Sequence, residues 1–460
     1  MTVTKKTAPI PEVFDSLIAE REGEWLHDLY IRPEHFLSMA GSRSFILFGG
    51  EGAGKTALRI ALQRYSAQTG SAAPLAIHWR PDLDMQQGDA RQIVREFMKQ
   101  LMSRCAQEIL YYAYRNPHNL KNAQPWTQEA AAWFAQTFLA EDWRFEIERL
   151  NAEFQGQDID GVQTLLSQNA RPLLFADAPA ASVLTKVAFI VKGLGAGGVQ
   201  AYVDGMEILL DQDKEALVNT IRSLLSTLAL FEEPGFVIKM MAPEQIEGDL
   251  LSANSTIRRR WEVFHLKWSN AQLVEMIETR AAAMLGKGSY KIKDLCSAKE
   301  LQEQFEKLGG TSPRGWLKSA HALLEYQQTK NGAPLSLKEL NAVSYQNLPS
   351  LRIDLATDKV FIGYGEISAL QPLAKKILRY IYALENKTCS REELYYRAHQ
   401  EFDVIPKSSK DDHWVGRAQW EKSIDTALYR IRQIIEPDPK NPVYLISDTG
   451  KGIVRLNNVG

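Results

Sequence analysis

Along the first 270 residues, short apolar runs alternate with longer stretches in which apolar residues recur every three or four positions. The runs are FILF at 45–48, LAIHW at 75–79, VQAYV at 199–203, FVIKMM at 236–241 and VFHL at 263–266. Runs this short, without strict alternation and separated by helical stretches, predict buried strands of a parallel sheet with helices on both faces. One spacing is unusual: about 120 residues separate the second run from the third. Residues 91–190 read as a crossover helix extended by a helical insertion carrying Trp126, Trp133 and Trp143. A helical lead-in is expected over 1–40, the α/β core over 41–268, and a helical lid over 269–330. GAPLSLKEL at 332–340 marks a linker within 331–349, and a small α+β domain is expected over 350–460.

The chemistry concentrates after the first run. Gly49, Gly54, Lys55 and Thr56 in GGEGAGKTA fit G-x-x-x-x-G-K-[ST] between a strand and a helix. In that context the loop of Gly49, Gly50, Gly52, Ala53, Gly54, Lys55, Thr56 and Ala57 turns N–H groups toward phosphates, with ATP as the expected ligand. The lysine reaches the β/γ-phosphates, the helix N-terminus adds its positive end, and the threonine hydroxyl is a ligand for Mg2+. A second metal ligand is expected at the end of another strand, where Asp204 directly follows Val203. Glu207, three residues further, is the candidate to orient or deprotonate an attacking water.

Composition narrows the setting. Lys and Arg number 54 against 56 Asp and Glu, so any nucleic-acid contact is local and not a chain-wide basic field. Cys105, Cys296 and Cys389 match no zinc or redox spacing, which reads as a reduced, cytoplasmic compartment. MTVTKKTAPIPEVFD lacks the apolar centre of a secretory signal, and Lys186 and Lys192 interrupt the most apolar stretch, so no membrane contact is expected. The histidines are scattered, and His265 within an apolar run reads as a core residue.

VDGME at 203–207 resembles the second acidic motif of signalling P-loop ATPases of the STAND class, relatives of the AAA+ machines. Other pieces follow in the same order. FVIKMMAPEQ resembles the strand that ends in a sensor polar group, with Gln245 as the amide. Arg258, Arg259 and Arg260 precede the next strand, where an arginine in AAA+ proteins reaches a neighbouring subunit's γ-phosphate; as a bland alternative they cap a helix C-terminus. GGTSPRGW places Arg314 where the family has its second sensor, in the first turn of a proline-started helix. The likeness implies an ATPase that works as a homo-oligomer. Gly205 stands where many AAA+ enzymes have the glutamate that drives hydrolysis, so slow or partner-stimulated turnover is expected.

Residues 351–456 tell a separate story of short strands, three helices and a terminal hairpin. Within it, SREEL, Ile424-Asp425, Arg430-Ile431-Arg432, DPKNP, the Tyr444 strand and Gly450-x-Gly452 resemble the DNA-binding output domain of OmpR-type response regulators. The resemblance implies a winged helix whose third helix enters the major groove. By position it places Lys422, Thr426, Arg430 and Arg432 toward duplex DNA, with Lys451 in the wing.

The whole predicts an ATP-dependent switch that couples nucleotide state and oligomerisation to a DNA-binding winged helix, as in a regulator or a phage-defence component. The alternative is a signalling ATPase scaffold whose winged helix docks a protein, with a separate sensor or effector chain. A loader of the origin-recognition type is a third reading, disfavoured because its winged helix does not usually resemble a response-regulator output domain.

Overall fold

The chain is described by a computed structural model covering residues 19–22, 25–68, 72–81, 89–139, 142–155, 180–227, 233–252, 261–296, 300–355, 357–363, 365–448 and 450–460. It divides into two compact units at 267/268.

In the first unit, β1 (Phe45–Gly49), β2 (Leu75–Trp79), β3 (Val199–Val203), β4 (Phe236–Pro243) and β5 (Glu262–His265) form one sheet in the order β2-β3-β4-β1-β5. All pairings are parallel. β1, β3 and β4 are buried at every position, which is why their sequences run apolar without alternation. The register sets Gly49 beside Pro243 and Trp79 beside Val203, so the carboxyl ends of these strands share one edge. Ligands of open parallel sheets bind at that edge.

The long crossover begins with the helix Ala90–Arg115, started by a capping box in which Asp89 accepts from the backbone of Gln92 and Gln92 bonds back. Helices Pro117–Asn122, Pro125–Leu139, Trp143–Glu153 and Ala180–Gly193 follow. Their apolar faces join the sheet's own core: Phe97 meets Trp79 edge-on at 4.7 Å, and Leu101, Trp133, Leu150 and Leu184 are buried in the same cluster. The insertion therefore thickens one layer of the domain.

Lys239 is buried in the centre of β4, donating to the Met39 carbonyl at 2.8 Å and to Gln200 Oε1 at 3.3 Å. Its ammonium also lies over the Tyr202 and Phe45 rings. Burial pushes its pKa down to about 7, because a charge in the sheet interior loses hydration that two acceptors and two ring faces only partly replace. His265, expected in the core, is instead exposed on the edge strand, where Nε2 lies 2.7 Å from Glu247 Oε1. An edge strand leaves its outer side chains to solvent.

The second unit starts with helices Asn270–Met284, Ile292–Leu295, Glu300–Gly309 and Pro313–Thr329, packed around Trp316, which stacks on Phe305 at 5.2 Å. The expected linker at 331–349 holds the helix Leu337–Gln346, closed at its start by a Ser336–Glu339 capping box. Gly332 and Pro334 break the chain before it, but the box restarts helix at once. A winged helix follows. The antiparallel sheet β6 (Leu351–Asp354), β7 (Lys359–Ile362) and β8 (Gly365–Glu366) precedes the helix Pro372–Ala383. Next come β9 (Thr388–Ser390), a Ser390-capped helix that widens to a π-type turn at Leu394–His399, the helix Arg417–Ile435, and the hairpin β10 (Leu445–Asp448) and β11 (Ile453–Leu456). β9 pairs with β11 and ties the wing to the body. Gly310 of the lid meets the β7–β8 turn backbone to backbone: a Cβ on Gly310 would stand 2.4 Å from Gly365 Cα.

Candidate nucleotide site and winged-helix face

β1 ends at Gly49, and the loop to the helix Lys55–Gln68 turns through Gly52 and Gly54, both with left-handed φ of 71° and 93°. Only glycine adopts those angles at little cost. Gly49 is needed for space, since a Cβ there would stand 3.3 Å from Leu266 Cβ and 3.4 Å from Lys55 Cγ. Lys55 is buried and folds back over the loop, its Nζ donating to the carbonyls of Gly49 at 2.7 Å and Gly50 at 2.9 Å. Glu207 Oε1 lies 2.7 Å from the same Nζ. Glu207 is thus paired, through one of its two carboxylate oxygens, with the lysine of the loop.

Asp204 leaves the end of β3 and turns beneath the helix start. Its Oδ2 accepts from Thr56 Oγ1 at 2.9 Å and its Oδ1 from the Gly205 amide at 2.9 Å. A hydroxyl and a carboxylate brought together from residues 148 apart are a hard-oxygen donor pair, the set that holds Mg2+ when waters and phosphate oxygens complete the shell. Among the described residues no group of three or more His, Cys, Asp and Glu could hold a metal by itself. The donor chemistry of Thr56 and Asp204 fits a hard divalent cation, and the Lys55 loop fits phosphates.

Four neighbours of this site were missed in the sequence. Arg59 Nε lies 3.2 Å from Asp204 Oδ2, and Arg59 Nη2 lies 3.3 Å from Glu20 of the lead-in. Arg80 Nη2 approaches the same Glu20 oxygen at 3.9 Å. Arg80 also lies over Gly205, where a Cβ would stand 2.6 Å from its Nε and φ is 86°. Glycine after Asp204 thus suits the left-handed backbone there, which side-chain-bearing residues rarely adopt. His78 on β2 has its pKa lowered to about 4 by burial first and by Arg59 next, and its buried Nε2 has no hydrogen-bond partner. The one local signal was the spacing of Arg59, which falls one helical turn after Thr56. Gln245 follows β4, the strand between β1 and β3, and its buried Oε1 is likewise unpartnered. Arg258, Arg259 and Arg260 lie outside the described residues. Arg314 is half-buried in the first turn of Pro313–Thr329, in the other unit, where Ser312 Oγ caps the helix by accepting from the Gly315 amide.

On the winged helix, Lys422, Thr426 and Arg430 are exposed along one face of Arg417–Ile435. Tyr429, 63% exposed beside them, was not singled out from the sequence. Arg432 departs from expectation: it turns onto the hairpin, donating to the Leu445 carbonyl at 2.9 Å and to Ser447 Oγ. Two residues on from Arg430, it sits on the side of the helix that the wing covers. Lys451 is exposed at the wing's turn, and Thr449 lies outside the described residues.

No family model matches the chain, and no curated protein matches it. Among solved structures, the ORC2 protein of Aeropyrum pernix in ADPNP–ADP complexes is 14% identical with a TM-score of 0.38, covering 99% of this chain and 93% of that one. The ORC1 protein of Aeropyrum pernix in complex with DNA is 11% identical with a TM-score of 0.36, covering 94% and 93%. A Walker-type ATPase of Pyrococcus abyssi is 12% identical with a TM-score of 0.34, covering 95% and 93%. Scores this low carry no argument about what this chain binds. What the geometry defines is a P-loop α/β core with a helical insertion and lid, followed by a small α+β winged helix. No described helix is long and apolar enough to cross a membrane.

Proposed function

We propose that this protein is an ATP-binding switch whose nucleotide state governs a DNA-binding winged helix. The observation that carries the reading is the junction of Thr56 Oγ1 and Asp204 Oδ2 at 2.9 Å beside a Lys55 folded over its loop. Bound ATP would differ from ADP by its γ-phosphate; the chain supplies Lys55 for the phosphates and Thr56 and Asp204 for a Mg2+ bound with them. Binding is the core of the proposal and slow hydrolysis its corollary, because Glu207 is held by Lys55 and glycine follows Asp204.

The DNA arm rests on the exposed row Lys422, Thr426, Tyr429 and Arg430 with Lys451 in the wing. Lysine and arginine there would contact phosphates, and one or two side chains would read base edges. Homo-oligomerisation and a regulatory or defence role with a separate sensor or effector belong to the proposal through the resemblance to STAND and AAA+ ATPases and OmpR-type output domains, and a cytoplasmic setting through the scattered cysteines.

The test is anisotropy of labelled duplex DNA titrated with wild-type protein and Lys55→Ala, in ATP, in ADP and without nucleotide, at low and moderate salt. Salt-sensitive binding that ATP strengthens, and that loses its nucleotide dependence in the variant, supports the switch. A nucleotide-binding protein that ignores DNA under every condition would replace the DNA arm with protein docking.

A further inference from the structure

The nucleotide site contains a positive charge that its sequence motif does not call for. Arg59 is buried to 5% side-chain exposure, and Asp204, which it touches, to 3%. Its Nε donates to Oδ2, the oxygen that already accepts from Thr56, while Oδ1 is taken by the Gly205 amide. A divalent cation on Thr56 and Asp204 would enter beside a fixed like charge and would take over the carboxylate oxygen that Arg59 holds.

The other end of Arg59 has somewhere to go. Nη2 is 3.3 Å from Glu20 Oε1 and Nη1 is 3.2 Å from Gln63 Oε1. Glu20 is 39% exposed and also faces Arg80 at 3.9 Å. A guanidinium released by Asp204 can pass to Glu20 without leaving the site.

We propose that Arg59 is a positioning residue that sets the Mg2+ threshold of nucleotide binding, with Glu20 as the acceptor that draws it off Asp204. Arg59 holds the carboxylate in place when no metal is bound and opposes the metal's entry; Glu20 lowers that opposition. This inference rests on the loop being a nucleotide site.

The experiment follows a fluorescent ATP analogue (mant-ATP) binding to the full chain, first in EDTA and then across a Mg2+ titration. Metal-free melting temperature is measured in parallel. The expected result is that Arg59→Met lowers the Mg2+ concentration for half-saturation by about tenfold, while Arg59→Lys, which keeps the charge, stays near wild type. Glu20→Gln raises the threshold several-fold in the wild-type background and leaves it unchanged in Arg59→Met. If Arg59→Met does not fold, the partly exposed Glu20→Gln decides: an unchanged or lowered threshold overturns the proposal. A folded Arg59→Met with an unchanged or raised threshold overturns it as well, while leaving the nucleotide reading intact. Wild-type protein that binds no analogue at any Mg2+ concentration overturns that reading itself.

Discussion

Lys55 and Glu207 meet at 2.7 Å, a buried ammonium against a carboxylate that is one-third exposed. The cation that the loop motif offers to phosphates is thus already balanced from within the chain. A nucleotide must exchange with that carboxylate for the lysine. Glu207→Gln should tighten nucleotide binding by about fivefold, since a partly exposed pair contributes about 1 kcal/mol. Isothermal titration with ATP and ADP measures this. Weaker binding would show that Glu207 orients Lys55 and does not compete for it.

Arg430 and Arg432 are two residues apart and differ in what they touch, so their variants should separate. Lys422→Ala and Arg430→Ala should each lower the slope of log K against log salt by about 0.9 for each phosphate left without its cation. Neither should move the melting temperature. Arg432→Ala should do the reverse, because it removes bonds to Leu445 and Ser447 that pin the wing. An equal loss of DNA affinity without destabilisation in Arg432→Ala would restore it to the DNA face.

Glu436 ends the same helix fully buried. Its two oxygens accept the backbone amides of Val443, Tyr444 and Leu445, at 2.6 Å from Val443 and Leu445 and at 3.0 Å from Tyr444. Glu436→Ala would leave two buried donors, Tyr444 and Leu445, and the part-buried Val443 amide without this acceptor. A loss of about 3–5 kcal/mol is expected in urea unfolding of the second unit, with the hairpin amides losing hydrogen-exchange protection first. A change within about ±0.5 kcal/mol, the size of an ordinary surface substitution, would mean that water replaces the carboxylate.

Lys239 makes stability pH-dependent. Its folded pKa of about 7 lies below the ordinary lysine value of 10.5, so between those limits the unfolded chain binds a proton that the folded chain does not. Stability therefore rises with pH across that window, and the burial penalty is complete below it. Lys239→Met should stabilise the protein near neutral pH and remove this part of the rise, read from urea midpoints across the interval between the two pKa values. A wild-type curve as flat as the variant's would place Lys239 in water.

The sequence by itself determined the elements whose causes are local. Apolar runs made β1 to β5 legible because a strand covered on both faces needs no alternation, and Gly49 to Thr56 were legible because the loop's angles admit only glycine at Gly52 and Gly54. Asp204 was singled out by its place at a strand end, and it lies against Thr56. The helix Leu337–Gln346 falls where the sequence was read as a linker, because its Ser336–Glu339 capping signal went unread. Tertiary structure alone decided what the acidic and basic side chains do. Arg59 and Asp204 are 145 residues apart, and Arg59 and Glu20 are 39 apart. Nothing in the periodicity of either segment records that the sheet order β2-β3-β4-β1-β5 brings Asp204, after β3, near the helix after β1 that carries Arg59. Arg432 likewise faces the wing and not solvent only because β10 closes beside it. Backbone conformation follows from neighbouring residues, whereas the partner of a charge follows from where distant strands end.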